Sequence, residues 1–408
     1  MLCFRPVTAT VLYLTMTENS PSQADKLAGI RRYCSTRGWS AEMISRPRFS
    51  PEAISEILRG RRLVGCVVDG VANHVDLPPR LFRDVPVSYI GYMKGRTGTR
   101  PNFHFDTAAI VTAALRELSA GKPSCYGVIG FPIHQRWARQ RVGAFRAAVG
   151  AIGAKCLAFP FCAVSGRAAA DVWGAFEARL VKWLASLPDR TALFAVSDEV
   201  AVLATRAARA AGRGIPRSLT LVSVDNFPAL CEGANPPISS IQLDFERVGF
   251  LAAGALDGPS ARRASGRAAV RSSALAPAAQ PILVPPLLVV RRKSTSGRGR
   301  QEKFVLRAEE IIRREACDGL TAAALAARFP CSRSLFELRF REATGHSVLD
   351  EILHVRLEKA FSLLSRTDTA IGAVPALCGF RSYWALDDLF RARFGMGMRA
   401  WRRRNFSC

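Results

Sequence analysis

Residues 331–345, CSRSLFELRFREATG, and residues 381–395, RSYWALDDLFRARFG, end in the same way: Phe340-Arg341 with Gly345, and Phe390-Arg391 with Gly395. Each copy follows an Ala/Leu-rich turn of helix and a short break. The upstream pieces are LTAAALAARF at 320–329 and AIGAVPALCGF at 370–380. A short helix, a tight turn and an amphipathic helix form the unit that sets a helix into a DNA major groove. Two such units predict two insertion points on a duplex. Between them Leu349, Ile352, Leu353, Leu357, Ala360, Phe361 and Leu364 recur at 3- and 4-residue spacing, which predicts one long connecting helix.

The composition agrees with a polyanionic partner. Among 408 residues, 58 Lys and Arg face 33 Asp and Glu, a net charge of +25. Abundant Ala and the preference for Arg over Lys also fit GC-rich coding bias. No apolar run reaches the roughly 18 residues that span a bilayer, so a membrane is the weaker option. The eleven cysteines are dispersed and form no C-x-x-C pair or zinc spacing. That predicts reduced thiols in the cytoplasm and no metal.

Residues 1 to about 258 alternate apolar strand-like runs with helical stretches. The strands are Ala9–Leu14, Gly65–Asp69, Val85–Ile90, Ser124–Ile129, Leu193–Val196 and Leu219–Val224. The helices are Asp25–Arg37, Pro51–Arg59, Thr107–Ser119, Arg136–Ala151, Asp171–Ser186 and Glu199–Ala211. Continuous apolar strands imply a parallel sheet covered on both faces, and the length suits two lobes. Ligands of such folds lie beyond the carboxyl ends of strands. Residues 258–280, of low-complexity Ala, Arg and Ser, read as a flexible surface insertion, followed by one short strand, Ile282–Val290. The expected domains are therefore 1–292, a basic linker at 293–301, and an all-helical domain at 302–408.

Residues 331–364 resemble the first half of the AraC/XylS DNA-binding domain, and 378–403 the second, with Arg356, Leu357, Ala360 and the C-G-F of 378–380 in place. Residues 193–226, 236–249 and 137–149 resemble the effector domain of LacI/GalR repressors, without their headpiece. This order of domains is similar to the xylose operon activator family. The resemblance implies an α/β two-lobed, type I periplasmic-binding-protein-like domain, followed by an all-α domain with two helix-turn-helix motifs. It also implies a transcription regulator that binds promoter DNA and a small sugar, xylose or related. Pairing as a homodimer and contact with RNA polymerase come with it, as does a cytoplasmic, nucleoid-associated location.

Carried onto this sequence, the resemblance places Ser334, Glu337 and Leu338 at base-facing positions of the first unit, with Arg333, Arg339 and Arg341 toward phosphates. Glu337 is alternatively an exposed residue paired with a neighbouring Arg. In the second unit Trp384, Ala385 and Asp388 fall at base-facing positions beside Asp387, and Met398 replaces a usual proline. Two carboxylates there would repel phosphate, leaving Arg381, Arg391 and Arg393 to supply backbone contacts. In the effector domain Asp106, Arg141, Asp198 and Asp225 align with sugar contacts, with Trp137 or Phe131 to stack on a sugar face. The other reading of Asp198 and Asp225 is as helix or turn caps. Leu243 stands where some members carry a polar contact.

An enzyme is the rival class. The chain has no G-x-S-x-G, Walker or post-strand G-x-G-x-x-G motif, and its histidines (His74, His104, His134, His346 and His354) are not spaced for a triad or a metal pair. The reading is thus of a regulator without cofactor, with activation as its expected sign. The alternative is a ligand-independent repressor with a degenerate pocket.

Overall fold

The computed structural model describes residues 9–15, 20–46, 49–59, 61–70, 77, 79–82, 85–91, 100–133, 135–160, 169–257, 280–295, 302–344 and 346–406. Nearly all of the expected 258–280 insertion, and 296–301 of the expected linker, lie outside them.

The first part of the chain forms two sheets. One holds β1 (Thr10–Thr15), β2 (Ser40–Ser45), β3 (Leu63–Asp69), β4 (Val87–Ile90), β5 (Asn102–Phe105) and β11 (Ile282–Val284), in the order β11-β5-β4-β3-β1-β2. The other holds β6 (Cys125–Ile129), β7 (Cys156–Ala158), β8 (Thr191–Ala195), β9 (Leu219–Asp225), β10 (Ser239–Gln242) and β12 (Val289–Val290), ordered β12-β10-β9-β8-β6-β7. All pairings are parallel except β12 with β10. Helices cover the sheets: α1 (Pro21–Ser35), α2 (Pro51–Leu58), α3 (Thr107–Ser119), α4 (Arg136–Ala151), α5 (Ala169–Ser186), α6 (Asp198–Ala210), α7 (Pro228–Gly233) and α8 (Phe245–Gly254). Strands β6 and β8 are buried along their whole length, as the apolar runs require.

The chain crosses between lobes three times, after β5, after β10 and between β11 and β12. The last crossing corrects the expected single strand Ile282–Val290. Pro285 and Pro286 interrupt it, because proline offers no N–H to a ladder. Its two halves pair in different sheets. The second crossing returns α8 to pack on α1, and glycine permits the approach. A Cβ at Gly29 would fall 1.8 Å from the Glu246 carbonyl oxygen, and one at Gly249 would fall 2.0 Å from that of Lys26.

The expected linker begins later than 293. Ser294 is fully buried, its Oγ donating to Leu221 O at 2.6 Å and accepting from Ser239 N at 2.8 Å. Residues 291–295 thus belong to the second lobe.

The carboxy-terminal part is helical: α9 (Glu302–Glu315), α10 (Ala322–Ala326), α11 (Arg333–Thr344), α12 (Val348–Arg366), α13 (Val374–Leu377), α14 (Tyr383–Phe394) and α15 (Met398–Phe406). The connecting helix α12 starts with a capping box between Ser347 and Asp350. Ile352, Leu357, Ala360 and Leu364 are buried along it, whereas Leu349 at its start faces outward. Phe329, Phe336 and Phe340 form the core of the first unit; Leu386, Phe390 and Trp401 belong to that of the second. The C-G-F motif needs its glycine: Gly379 has φ +74°, and a Cβ there would meet Cys317 O at 2.8 Å. Among the described residues no helix is long and apolar enough to cross a membrane.

Gly249→Ala should destabilise the chain by about 2–3 kcal/mol, since the clash is with backbone. Gly143→Ala on α4, where a Cβ meets nothing within 4 Å, should be neutral or stabilising by roughly 0.5 kcal/mol. Denaturant unfolding of both variants checks the pair.

Candidate effector cleft and DNA-reading surface

A cavity of about 670 Å³ opens between the lobes, in the size range of small-molecule sites. Helix α4 brings Trp137 and Arg141 to one face, four residues apart, and both line it. Arg141 Nη1 donates to Val196 O at 2.6 Å and lies 3.6 Å from Asp225 Oδ1. Its guanidinium carbon sits 4.7 Å from the Trp137 ring centre. Asp225 ends β9, also on the cleft wall. Burial pushes the Asp225 carboxyl well above its usual value, against the pull of Arg141, and lowers the Arg141 guanidinium. Both are groups held short of solvent that a polar ligand would satisfy.

The backbone at Asp225 is strained, with φ +108°, followed by Asn226 at φ +57°. Asp198 holds that turn in place. It is wholly buried and accepts from Phe227 N at 2.7 Å, Ser240 Oγ at 2.7 Å and Ser223 Oγ. Asn226 N in turn donates to Ser240 Oγ at 3.0 Å. Asp198 therefore does not face the cleft as expected of a sugar contact, because its oxygens are consumed inside the lobe. Asp106 Oδ1 accepts from Ala109 N at 3.0 Å as the cap of α3. Phe131 lies on the wall, its ring 5.3 Å from those of Trp137 and Trp173.

Several cleft residues escaped the sequence reading. Lys26 and Asp69 join at 2.6 Å, both buried, and Tyr13 Oη donates to the same Asp69 oxygen at 2.6 Å. Asp69 closes the predicted strand Gly65–Asp69, and a carboxylate at a strand's carboxyl end is a readable signal. Glu199, Arg136, Arg139 and His104 also line the cavity. Leu243 is buried.

On the reader, Ser334, Leu338, Arg339 and Arg341 are exposed on α11. Glu337 pairs with Arg333 at 2.8 Å, the neighbour-paired arrangement. The second unit differs from expectation. Asp387 is only 3% exposed and accepts from Met398 N at 2.6 Å and Arg391 Nη2 at 2.5 Å. It thus caps α15 rather than opposing phosphate, and a proline at 398 would have no N–H to give it. Asp388 remains outside, 3.4 Å from Arg391. Trp384 is 70% exposed beside Ala385 and Arg381. Arg393, expected at phosphate, has its pKa lowered by burial and then by the nearby charges of Arg116 and Arg291. That puts it by the second lobe.

The two parts meet through residues 287–292. The backbones of Leu287 and Leu288 bond to Gln242 on β10, while their side chains enter the core of the second unit. Arg291 Nε donates to Glu117 on α3 at 2.9 Å, and its Nη1 to Glu351 on α12 at 3.1 Å. His346 Nε2 also lies 2.7 Å from Glu351, and His354 Nε2 2.9 Å from Val289 O. Burial pushes Glu351 up, but His346 and Arg291 outweigh it and hold its pKa at about 2.

Residues 125–295 match the periplasmic binding protein-like domain, and 325–404 a helix-turn-helix domain. The chain joins a periplasmic-binding-like domain to an AraC-type helix-turn-helix domain. Such a chain is a DNA-binding regulator of transcription. It is 25% identical over 339 residues to the xylose operon regulatory protein of Haemophilus influenzae, covering 81% of this chain and 83% of that one. It is 27% identical over 316 residues to that of Escherichia coli K12, covering 76% of each. A solved structure described as the xylose-binding transcription activator xylR matches with TM-score 0.55 at 23% identity, over 98% of this chain and 99% of that one. At that identity the likeness speaks for the fold.

Two outcomes follow for this regulator. Asp387→Ala should destabilise the helix-turn-helix domain by about 2 kcal/mol, by orphaning a buried N–H. Asp388→Ala should leave unfolding unchanged and tighten DNA binding at low salt; paired melts and binding titrations check both. Glu351, with its folded pKa below the roughly 4.3 of a free Glu, contributes stability above that pH and loses it as pH falls toward 2. Glu351→Gln should flatten that part of the stability profile, read as the difference between the two proteins' melting temperatures from pH 5 to pH 2.

Proposed function

We propose that this chain is a sugar-responsive transcription regulator in which a small sugar closes the cleft and alters how the two readers meet promoter DNA. The observation that carries this is the Arg141–Asp225 pair against Trp137, buried in an inter-lobe cavity. Carboxylate accepts from sugar hydroxyls, guanidinium donates to ring or hydroxyl oxygens, and the indole offers an apolar face. The names of its relatives make xylose or a related sugar the first candidate.

The joint supplies a route for the response. Asn226, next to the strained Asp225, accepts from Arg292 Nη1 at 2.9 Å. The adjacent Arg291 holds the connecting helix of the reader. A ligand that binds one lobe arrangement better than the other shifts the population of reader arrangements by its differential affinity. Ser334, Leu338 and Trp384 are the side chains we assign to base edges, the apolar ones against thymine methyls, with Arg339, Arg341 and Arg381 on phosphates. Activation through RNA polymerase and pairing of two copies through the sensor domain complete the reading.

A thermal-melt screen of the full chain against stereoisomeric pentoses and hexoses, plain and derivatised, should find one stereospecific stabiliser. Arg141→Ala and Asp225→Ala should each weaken it about 100-fold or more, as expected for lost charge-assisted bonds. No shift from any of these compounds would contradict the assignment of the cleft.

A further inference from the structure

Among the described residues that line the cleft, the charges do not cancel. Lys26 is engaged by Asp69 at 2.6 Å and Arg141 by Asp225 at 3.6 Å. Arg136 and Arg139 are the other guanidinium side chains lining the cleft, and Glu199 is the other carboxylate there among the described residues. Arg136 Nη1 is buried from water and has no hydrogen-bond partner among the described residues. An orphaned, charged donor in a cavity is costly, and the cost is relieved when a ligand acceptor arrives. Arg139 takes part in no ion pair among the described residues.

Backbone geometry points the same way. Arg136 is the first residue of α4, a helix of 16 residues. Its cap, Gln135, contributes no side-chain hydrogen bond, and no acidic residue stands in the first turn. The first amides of α4 therefore add a positive partial charge to the guanidinium beside them. Helix start, orphaned donor and cavity wall coincide at one place.

We propose that the effector is an anionic sugar, its carboxylate or phosphate seated against Arg136 and the first turn of α4. This rests on the reading of the cleft as a sugar site. The ring engages Arg141, Asp225 and Trp137, and the anionic group supplies the acceptor that Arg136 lacks. Guanidinium suits both oxyanions through parallel N–H donors.

The test is calorimetric titration of the full chain with matched sets: neutral aldoses, their aldonic and uronic acids, and their phosphate esters, with inorganic phosphate and acetate alone as controls. One anionic class should bind at least 10-fold more tightly than its neutral parent, which also tells carboxylate from phosphate. Arg136→Gln should weaken the anionic class at least 10-fold more than its neutral parent and so erase the preference, while Arg136→Lys keeps part of it. Unliganded stability of Arg136→Gln should equal or exceed that of the wild type, because the substitution removes a buried donor with no partner among the described residues. Neutral sugar binding as tightly as every anionic form, with Arg136→Gln without effect, would overturn this proposal and leave the sugar site standing. Binding of inorganic phosphate as tight as that of any sugar phosphate would overturn it as well. Silence from every sugar, neutral or anionic, would overturn both readings.

Discussion

The Arg291 guanidinium bridges the two-lobed domain and the helix-turn-helix domain. Arg291 leaves the last strand of the second lobe and reaches Glu117 on one side and Glu351 on the other. Burial disfavours its charge, yet the two carboxylates raise its pKa above the ordinary value. Such a pair is of small net worth when complete and costs about 3–5 kcal/mol when one partner is removed. It therefore acts as a geometric lock: helix α12 cannot slide along the lobe without stranding buried charge. Around it Leu287 and Leu288 share the apolar core of the second helix-turn-helix unit. The segment 287–292 is at once sheet edge, core and ion-pair donor.

The cleft is built on a similar economy. Asp198 accepts three hydrogen bonds, and those bonds hold the strained turn that aims Asp225 at Arg141. The buried carboxylate does its work by position. Asp387 repeats the device in the helix-turn-helix domain, where it fixes the start of α15 and pairs with Arg391. In both cases a carboxylate at the opening of a helix or within it serves the fold, and its neighbour (Glu199 on the cleft wall, Asp388 at the surface) stays available to a partner.

Much of this was legible in the residues. Long apolar strands, the helices between them and the repeated helix-turn-helix endings each obey a strong period, and the two-lobed α/β domain followed by a helical domain agrees with them. What escaped was short or decided from a distance. Strand β10 is rich in serine and only four residues long, so it carries no apolar signature. The sequence around Asp198 and Asp225 looks alike, a carboxylate near the end of a strand. Which of them meets the cleft depends on Ser223 and Ser240, brought in by neighbouring strands. Asp387 is satisfied by an amide eleven residues onward, which no local pattern announces. Lys26 carries no local signal, because its partner Asp69 lies on a strand that only the fold brings opposite it.

The claim at the centre is that cleft and reader are coupled through the Arg291 joint. Its most direct test is the affinity of the full chain for its promoter DNA with and without the stabilising sugar, in the wild type and in Arg291→Ala. The account predicts a sugar-dependent change of about 5-fold or more in the wild type, which is the usual scale of coupling between sites. It predicts that Arg291→Ala still binds the sugar and still binds DNA, with the change reduced to near unity. A sugar response of undiminished size in Arg291→Ala would contradict it.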